Sequence, residues 1–182
     1  FNRITVDGDT STNDMAIILA NGKAKNANIQ SGSLAYKNFV SKLTELCMDL
    51  AHKIVIDGEG ATKFVTIRVQ GAKAKTHAHR IALSIATSSL VKTALFGQDP
   101  NWGRIIAAVG YAGVPVNQNK IKILLNDSIL FKDGAPARGA SQSLLRKNMK
   151  RKNINIVVEL NSGFHSDIVY TCDLSYDYVR IN

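Results

Sequence analysis

The side chains best suited to chemistry crowd into Val6-Asp7-Gly8-Asp9-Thr10-Ser11-Thr12-Asn13-Asp14, where three carboxylates and three hydroxyls share one short stretch. The strand-like Arg3-Ile4-Thr5-Val6 enters it and the apolar run Met15-Ala16-Ile17-Ile18-Leu19-Ala20 leaves it. Polar groups this dense between two buried strands must bond to each other, to backbone or to a ligand. Two readings stand: a turn rich in side-chain-to-backbone bonds, or one wall of an active site. A calcium loop of the EF-hand kind fails on spacing. Counted from Asp7, its glycine and closing glutamate positions hold Thr12 and Ile18.

A strand followed by Asp-x-Asp resembles the nucleophile loop of haloacid-dehalogenase-type phosphatases. There one carboxylate attacks phosphorus, the next handles the proton, and magnesium sits between them. Asp7 and Asp9 would take those parts, and Ser11 supplies the hydroxyl, but no convincing acidic pair follows for the metal. A second loop, Asp57-Gly58-Glu59-Gly60-Ala61-Thr62-Lys63, flanks a carboxylate with glycines. Glycine permits positive φ and close backbone approach, so Glu59 is either an aimed site carboxylate or a surface turn acid. A third, Gly97-Gln98-Asp99-Pro100-Asn101-Trp102-Gly103-Arg104, has the chemistry of a helix start, with Asp99 as N-cap and Pro100 at the first helical position. It is a packing helix, a subunit contact or a site wall, beside the single tryptophan.

These loops need elements to carry them. Leu34, Phe39, Val40, Leu43, Leu46, Cys47, Leu50 and Ile54 recur near the helical period, which predicts a long amphipathic helix from about Ser33 to the Asp57 loop. Phe64 to Val69 alternates and predicts a strand. Lys75 to Val91 predicts one helix, and Lys92 to Phe96 a short strand. Ile121–Leu125 and Ile129–Phe131 predict paired strands about Asn126-Asp127-Ser128, and Ser141 to Asn148 a helix. Ile154–Leu160 and Ile168–Tyr170 about Asn161-Ser162-Gly163 predict a hairpin. Tyr176 to Asn182 reads as strand or as the first turns of a helix. His77 and His79 lie two apart on a helix, the wrong spacing for a metal pair, and no metal site is expected. His165 and Ser166 lack an orienting acid nearby in sequence.

The totals narrow the classes. At 182 residues the chain can bury a sizeable core, and no apolar stretch is long and charge-free enough to span a membrane. Two cysteines, Cys47 and Cys172, have no metal spacing and suit a reducing compartment. Cys47 is expected in the core. The net charge of +9 admits a polyanion-binding module. Its one dense cluster, Arg146-Lys147-Asn148-Met149-Lys150-Arg151-Lys152, has no interleaved aromatic to stack on bases and reads as a solvated helix end. No nucleic acid or membrane is expected as a partner.

Taken together, Phe1 to Asp14, Asp57 to Lys63, Phe96 to Arg104, and Cys172-Asp173-Leu174-Ser175-Tyr176-Asp177-Tyr178-Val179-Arg180-Ile181-Asn182 resemble the ornithine acetyltransferase (ArgJ-like) family from the first residue to the last. The resemblance implies an α/β fold of layered sheets and helices of that type. It implies a precursor that cuts itself into α and β chains, whose new N-terminal threonine takes acetyl from N-acetylornithine and passes it to glutamate. Some members of the family also accept acetyl-CoA; no other cofactor is implied. On this resemblance the chain is most of a β chain, beginning downstream of the nucleophilic threonine and ending just before the family's last substrate-binding hydroxyl residue. No catalytic residue is then expected within it, and it is expected to be inactive alone. Residues 1–118 would be the remainder of the catalytic region and residues 119–182 a C-terminal α/β region that could stand as a subdomain. Glu59 and Asn182 match the family's substrate-contacting Glu and Asn; Asp7, Asp9, Asp14, Asn101 and Trp102 receive no such role. The implied partners are the α chain, N-acetylornithine, ornithine, glutamate and N-acetylglutamate, in a heterotetramer of two α and two β chains. The implied place is the cytoplasm, or the mitochondrial matrix for a fungal source. The competing readings are the magnesium-dependent phosphatase on Asp7 and Asp9 and the basic nucleic-acid-binding module.

Overall fold

Six strands form one sheet, and the order in which the chain visits them decides which loops meet. The computed structural model describes residues 1–137 and 141–182. In chain order the elements are α1 (Leu34–Ile56), β1 (Phe64–Ala72), α2 (Lys75–Thr87), α3 (Ser89–Phe96), α4 (Trp102–Gly110), β2 (Lys122–Leu125), β3 (Ser128–Lys132), β4 (Ala135–Pro136), α5 (Gln142–Met149), β5 (Asn153–Glu159), β6 (His165–Cys172) and α6 (Tyr176–Ile181). The sheet order is β4-β3-β2-β5-β1-β6. Among the strands of the described residues β1 and β5 pair in parallel, and the other strand pairings are antiparallel. The mixed α/β class expected from the sequence is what the chain adopts.

Alternation along each strand sets the core. Val65, Ile67 and Val69 of β1, Ile154, Ile156 and Val158 of β5, and Val169 of β6 point to one face and are buried. Helix α2 lays Ala78, Ile81, Ala82, Ile85 and Ala86 against that face, the three-and-four spacing of a single helical stripe. Its alanines let helix and sheet approach closely. Ile105, Ala108 and Val109 of α4 extend the same layer, and Trp102 stacks on Phe131 at 5.2 Å. The C-terminal turns of α1 lie on the opposite face, where His52 meets Phe64 and Tyr170 edge-on. Strand β1, from the first 118 residues, sits between β5 and β6, so the sheet runs through the 118/119 boundary.

Several expectations are corrected. Arg3 to Val6 forms a single parallel bridge to the β6 edge, with Thr5 N donating to Tyr170 O at 3.0 Å and Tyr170 N to Arg3 O at 2.8 Å. Met15 to Ala20 is not a buried strand: Leu19 is 90% exposed, and among the described residues no strand pairs with this run. The helix predicted over 75–91 breaks at Ser88, whose hydroxyl caps α3 by accepting from Val91 N. Residues 92–96 therefore belong to a helix and not to a strand. Asn101, not Asp99, caps α4, and Asp99 in turn accepts from the Asn101 amide at 2.9 Å. The 161–163 turn is no hairpin, because β1 lies between β5 and β6; Leu160 N and Ser162 N donate instead to Gln70 O and Gly71 O. Cys47 is half-buried, not core. No helix among the described residues is long and apolar enough to cross a membrane.

Candidate functional site

The Glu59 loop and the C-terminus meet beyond the ends of β1 and β6. Helix α1 ends at Ile56, the N–H of its C-cap Asp57 returns to Lys53 O, and the chain turns back through Gly58, Glu59 and Gly60 into β1. Gly60 has φ +64°, and a Cβ there would fall 2.6 Å from both Ser175 Oγ and Tyr178 N. Only glycine permits that approach without displacing backbone.

Three sets of bonds fasten the C-terminal segment onto this loop. Asp173, 2% exposed, accepts from Thr62 N at 2.8 Å and Lys63 N at 2.9 Å with one oxygen, and from the Thr62 hydroxyl with the other. Ser175 donates to Gly60 O at 2.6 Å and, as N-cap of α6, accepts from Tyr178 N at 3.4 Å. Asn182 Nδ2 donates to Glu59 Oε2 at 2.6 Å and to Tyr178 O at 3.1 Å. The two sequence-predicted residues, Glu59 and Asn182, are thus brought into direct contact, both at the exposed surface.

The N-terminal loop closes one side. Asp7 accepts from the Tyr178 hydroxyl at 3.0 Å and from Asp9 N at 2.9 Å. The rest of the loop is held by local turn bonds: Thr5 Oγ1 accepts from Gly8 N, Asp14 from Ser11 N, and Ser11 Oγ from Asn13 N. The hydrogen bond to Asp7 pushes the Tyr178 phenol above its usual range, with help from lost solvent and from the negative charges of Asp7, Glu59 and Asp9. Asp7, Asp9 and Glu59 thus bring negative charge to the side of α6 that carries Tyr178. Asp14 lies in the exposed turn. Asn101 and Trp102 sit at the start of α4, beside a cleft of about 680 Å³ that Arg146 and Lys150 also line.

Beneath the site lies a cation that the sequence did not single out. Lys92, 2% exposed, donates to Thr171 Oγ1 at 3.1 Å and to Cys172 O, with Cys172 Sγ at 3.7 Å. Burial lowers its pKa, opposed by Cys172, Asp173 and Asp7, which favour the charged form. Burial also pushes the Cys172 thiol up. Sequence reasoning missed Asp173, Ser175 and Tyr178 as well. The signal for Ser175 was present: a serine three residues before Tyr178 at the start of a short helix is an N-cap pattern. Asp173 gave none, since its partners lie over a hundred residues away.

The remaining candidates disperse. His79 Nδ1 pairs with Asp167 at 2.9 Å, and Arg3 shares that carboxylate at 3.2 Å, a pairing between residues far apart in sequence. His165 lies at the sheet edge opposite Ala72. Among the described residues no group of three or more His, Cys, Asp or Glu is placed to hold a metal ion. Arg146, Lys147, Lys150, Arg151 and Lys152 are exposed around the C-terminal end of α5.

Comparison with known proteins gives one answer throughout. The sequence model of the ArgJ family matches residues 1–182. The arginine biosynthesis bifunctional protein ArgJ of Desulfotalea psychrophila is 50% identical over 182 residues, all of this chain and 46% of the relative. That of Geobacter sulfurreducens is 48% identical over the same span, again 46% of its length. The chain thus spans about half the length of the curated relatives it matches. The crystal structure of the arginine biosynthesis bifunctional protein ArgJ from Bacillus halodurans is 44% identical with a TM-score of 0.94, covering 100% of this chain and 85% of that one. The chain belongs to the ArgJ family, and its fold is of the ArgJ type.

Proposed function

We propose that this chain is the larger part of the β chain of an enzyme that moves an acetyl group from N-acetylornithine to glutamate in arginine biosynthesis. The observation that carries the reading is the contact of Glu59 with Asn182, the two positions that match the family's substrate-contacting residues, at 2.6 Å on the exposed surface. A carboxylate with an exposed oxygen suits an ammonium group, and an amide beside it can bond the remaining polar atoms of an amino acid.

In this reading the nucleophile is a threonine upstream of Phe1, made N-terminal by self-cleavage of the precursor. Its own amine takes the hydroxyl proton as the oxygen attacks the acetyl carbonyl. Donors from the α chain hold the developing oxyanion. That amine returns the proton to the nitrogen of ornithine as the C–N bond breaks, and an acetyl-threonine ester remains. The glutamate amine then attacks the ester, its proton passing by way of the same amine to the threonine oxygen as the ester bond breaks, to give N-acetylglutamate and free threonine. Glu59 and Asn182 bind and orient the amino-acid groups throughout and take no proton. Acetyl-CoA is a possible second acetyl donor, and no resident cofactor is needed. The α chain is the partner, in a cytoplasmic heterotetramer of two α and two β chains.

The test runs the full-length precursor and this chain side by side, with N-acetylornithine and glutamate. Transfer by the precursor and none by the chain is expected. No transfer by a precursor that has cleaved itself would overturn the activity, and transfer by the chain alone would overturn the mechanism.

A further inference from the structure

Glu59 and Asn182 are 123 residues apart in sequence, so no local backbone geometry fixes their separation. One hydroxyl joins the elements that carry them. Ser175 Oγ donates to the carbonyl of Gly60, the neighbour of Glu59, and accepts from the N–H of Tyr178 in the helix that leads to Asn182. Ser175 is 4% exposed, so water does not readily replace these bonds. The Gly60 backbone is pressed against Ser175 and Tyr178, which makes the junction a close contact and not a loose bridge. Asp173 immobilises the other end of the same loop through Thr62 and Lys63.

We propose that Ser175 is a positioning residue that holds Glu59 and Asn182 at a spacing where both engage one amino-acid substrate. The inference rests on the reading of that pair as substrate-binding. Ser175 itself does not reach the surface where the pair is displayed. Without its Oγ, the Gly60 carbonyl loses its donor and α6 loses its cap, and the Glu59 end of the loop can shift against the helix while Asp173 still holds the Thr62 end.

The test uses the full-length enzyme and steady-state kinetics with N-acetylornithine and glutamate. Ser175→Ala removes both bonds without touching substrate and is expected to raise KM about three- to tenfold, as if one substrate hydrogen bond were lost through misplacement of the pair, with kcat within about twofold of wild type. Ser175→Thr keeps the oxygen and is expected to restore KM. Ser84→Ala is the control for a purely structural loss. It removes a hydroxyl-to-carbonyl bond of 2.7 Å to Ala108, which joins α2 to α4 and involves neither the Glu59 loop nor α6, and is expected to lower thermal stability with KM unchanged. In an Asn182→Ala background, Ser175→Ala is expected to add less than about twofold, because the pair it positions is already broken. If Ser175→Ala does not accumulate as folded protein, Ser175→Cys, with its weaker donor, reads the same split. An unchanged KM in the Ser175 variant, an equal rise in Ser84→Ala, or a full independent effect in the Asn182→Ala background overturns the inference. Failure of the underlying reading shows separately: Glu59→Ala and Asn182→Ala would then leave KM unchanged by themselves.

Discussion

Removing the Asp173 carboxylate should unfasten the C-terminal segment from the Glu59 loop at a cost that can be worked from its bonds. Asp173 is 2% exposed and accepts three hydrogen bonds, from Thr62 N, Lys63 N and the Thr62 hydroxyl. Asp173→Ala strips all three donors of their partner. Each buried donor left unsatisfied costs about 1–3 kcal/mol, but the hydroxyl can rotate to another acceptor, so about 3–5 kcal/mol is expected overall. Asp173→Asn keeps one acceptor oxygen for the two backbone N–H groups, and its amide can donate to the Thr62 hydroxyl. It loses only charge assistance, about 1–2 kcal/mol. For a domain of this size each kcal/mol moves the melting temperature by about 2–4 °C, so Asp173→Ala should melt roughly 10 °C below wild type and Asp173→Asn a few degrees below. Thermal unfolding followed by circular dichroism reads both values. Two variants that melt together, or Asp173→Ala within about 2 °C of wild type, would refute the claim that this carboxylate is the anchor.

Gly60→Ala places a Cβ 2.6 Å from Ser175 Oγ and Tyr178 N at a φ of +64°, so a stability loss of at least about 2 kcal/mol is expected by denaturant titration. Lys92→Met should cost about 1–3 kcal/mol, since the Cys172 carbonyl loses its donor in the core. Lys92 has a folded pKa below its unfolded value, so between the two pH values the unfolded chain holds a proton that the folded chain has lost, and stability rises with pH across that window, which closes at about 10.5. Cys172 and Tyr178, whose pKa values are raised in the fold, lose stability across the same alkaline range. The Lys92 contribution is therefore read as the wild-type stability minus that of Lys92→Met in denaturant titrations, a difference that should grow with pH across that window. Cys172, buried with its thiol pKa raised, should react with a thiol reagent far more slowly than the half-buried Cys47, as mass spectrometry of the labelled protein would show.

Much of the scaffold was legible because its elements have a period. The apolar spacing from Leu34 to Ile54 marks α1, and the alternation from Phe64 to Val69 marks β1, each to within a few residues. What failed depended on distant neighbours. The Asn161-Ser162-Gly163 turn looks the same whether its flanking strands pair or admit β1 between them. Met15 to Ala20 has the composition of a buried strand but has no partner strand among the described residues. The break at Ser88 is a cap inside an otherwise continuous pattern. At the candidate site, Glu59 and Asn182 were expected through resemblance, and the Glu59 loop also through its glycines. Their mutual contact, the Asp173 anchor and the Ser175 link all join residues more than a hundred positions apart, which no local pattern encodes.

The most direct measurement is the steady-state acetyl transfer from N-acetylornithine to glutamate by the full-length protein carrying Glu59→Ala. Loss of a carboxylate that pairs with a substrate ammonium removes about 2 kcal/mol or more, so kcat/KM should fall at least about thirtyfold while the protein stays folded. Kinetics within about twofold of wild type would contradict a substrate-binding role for Glu59 and, with it, the account of this surface as the site.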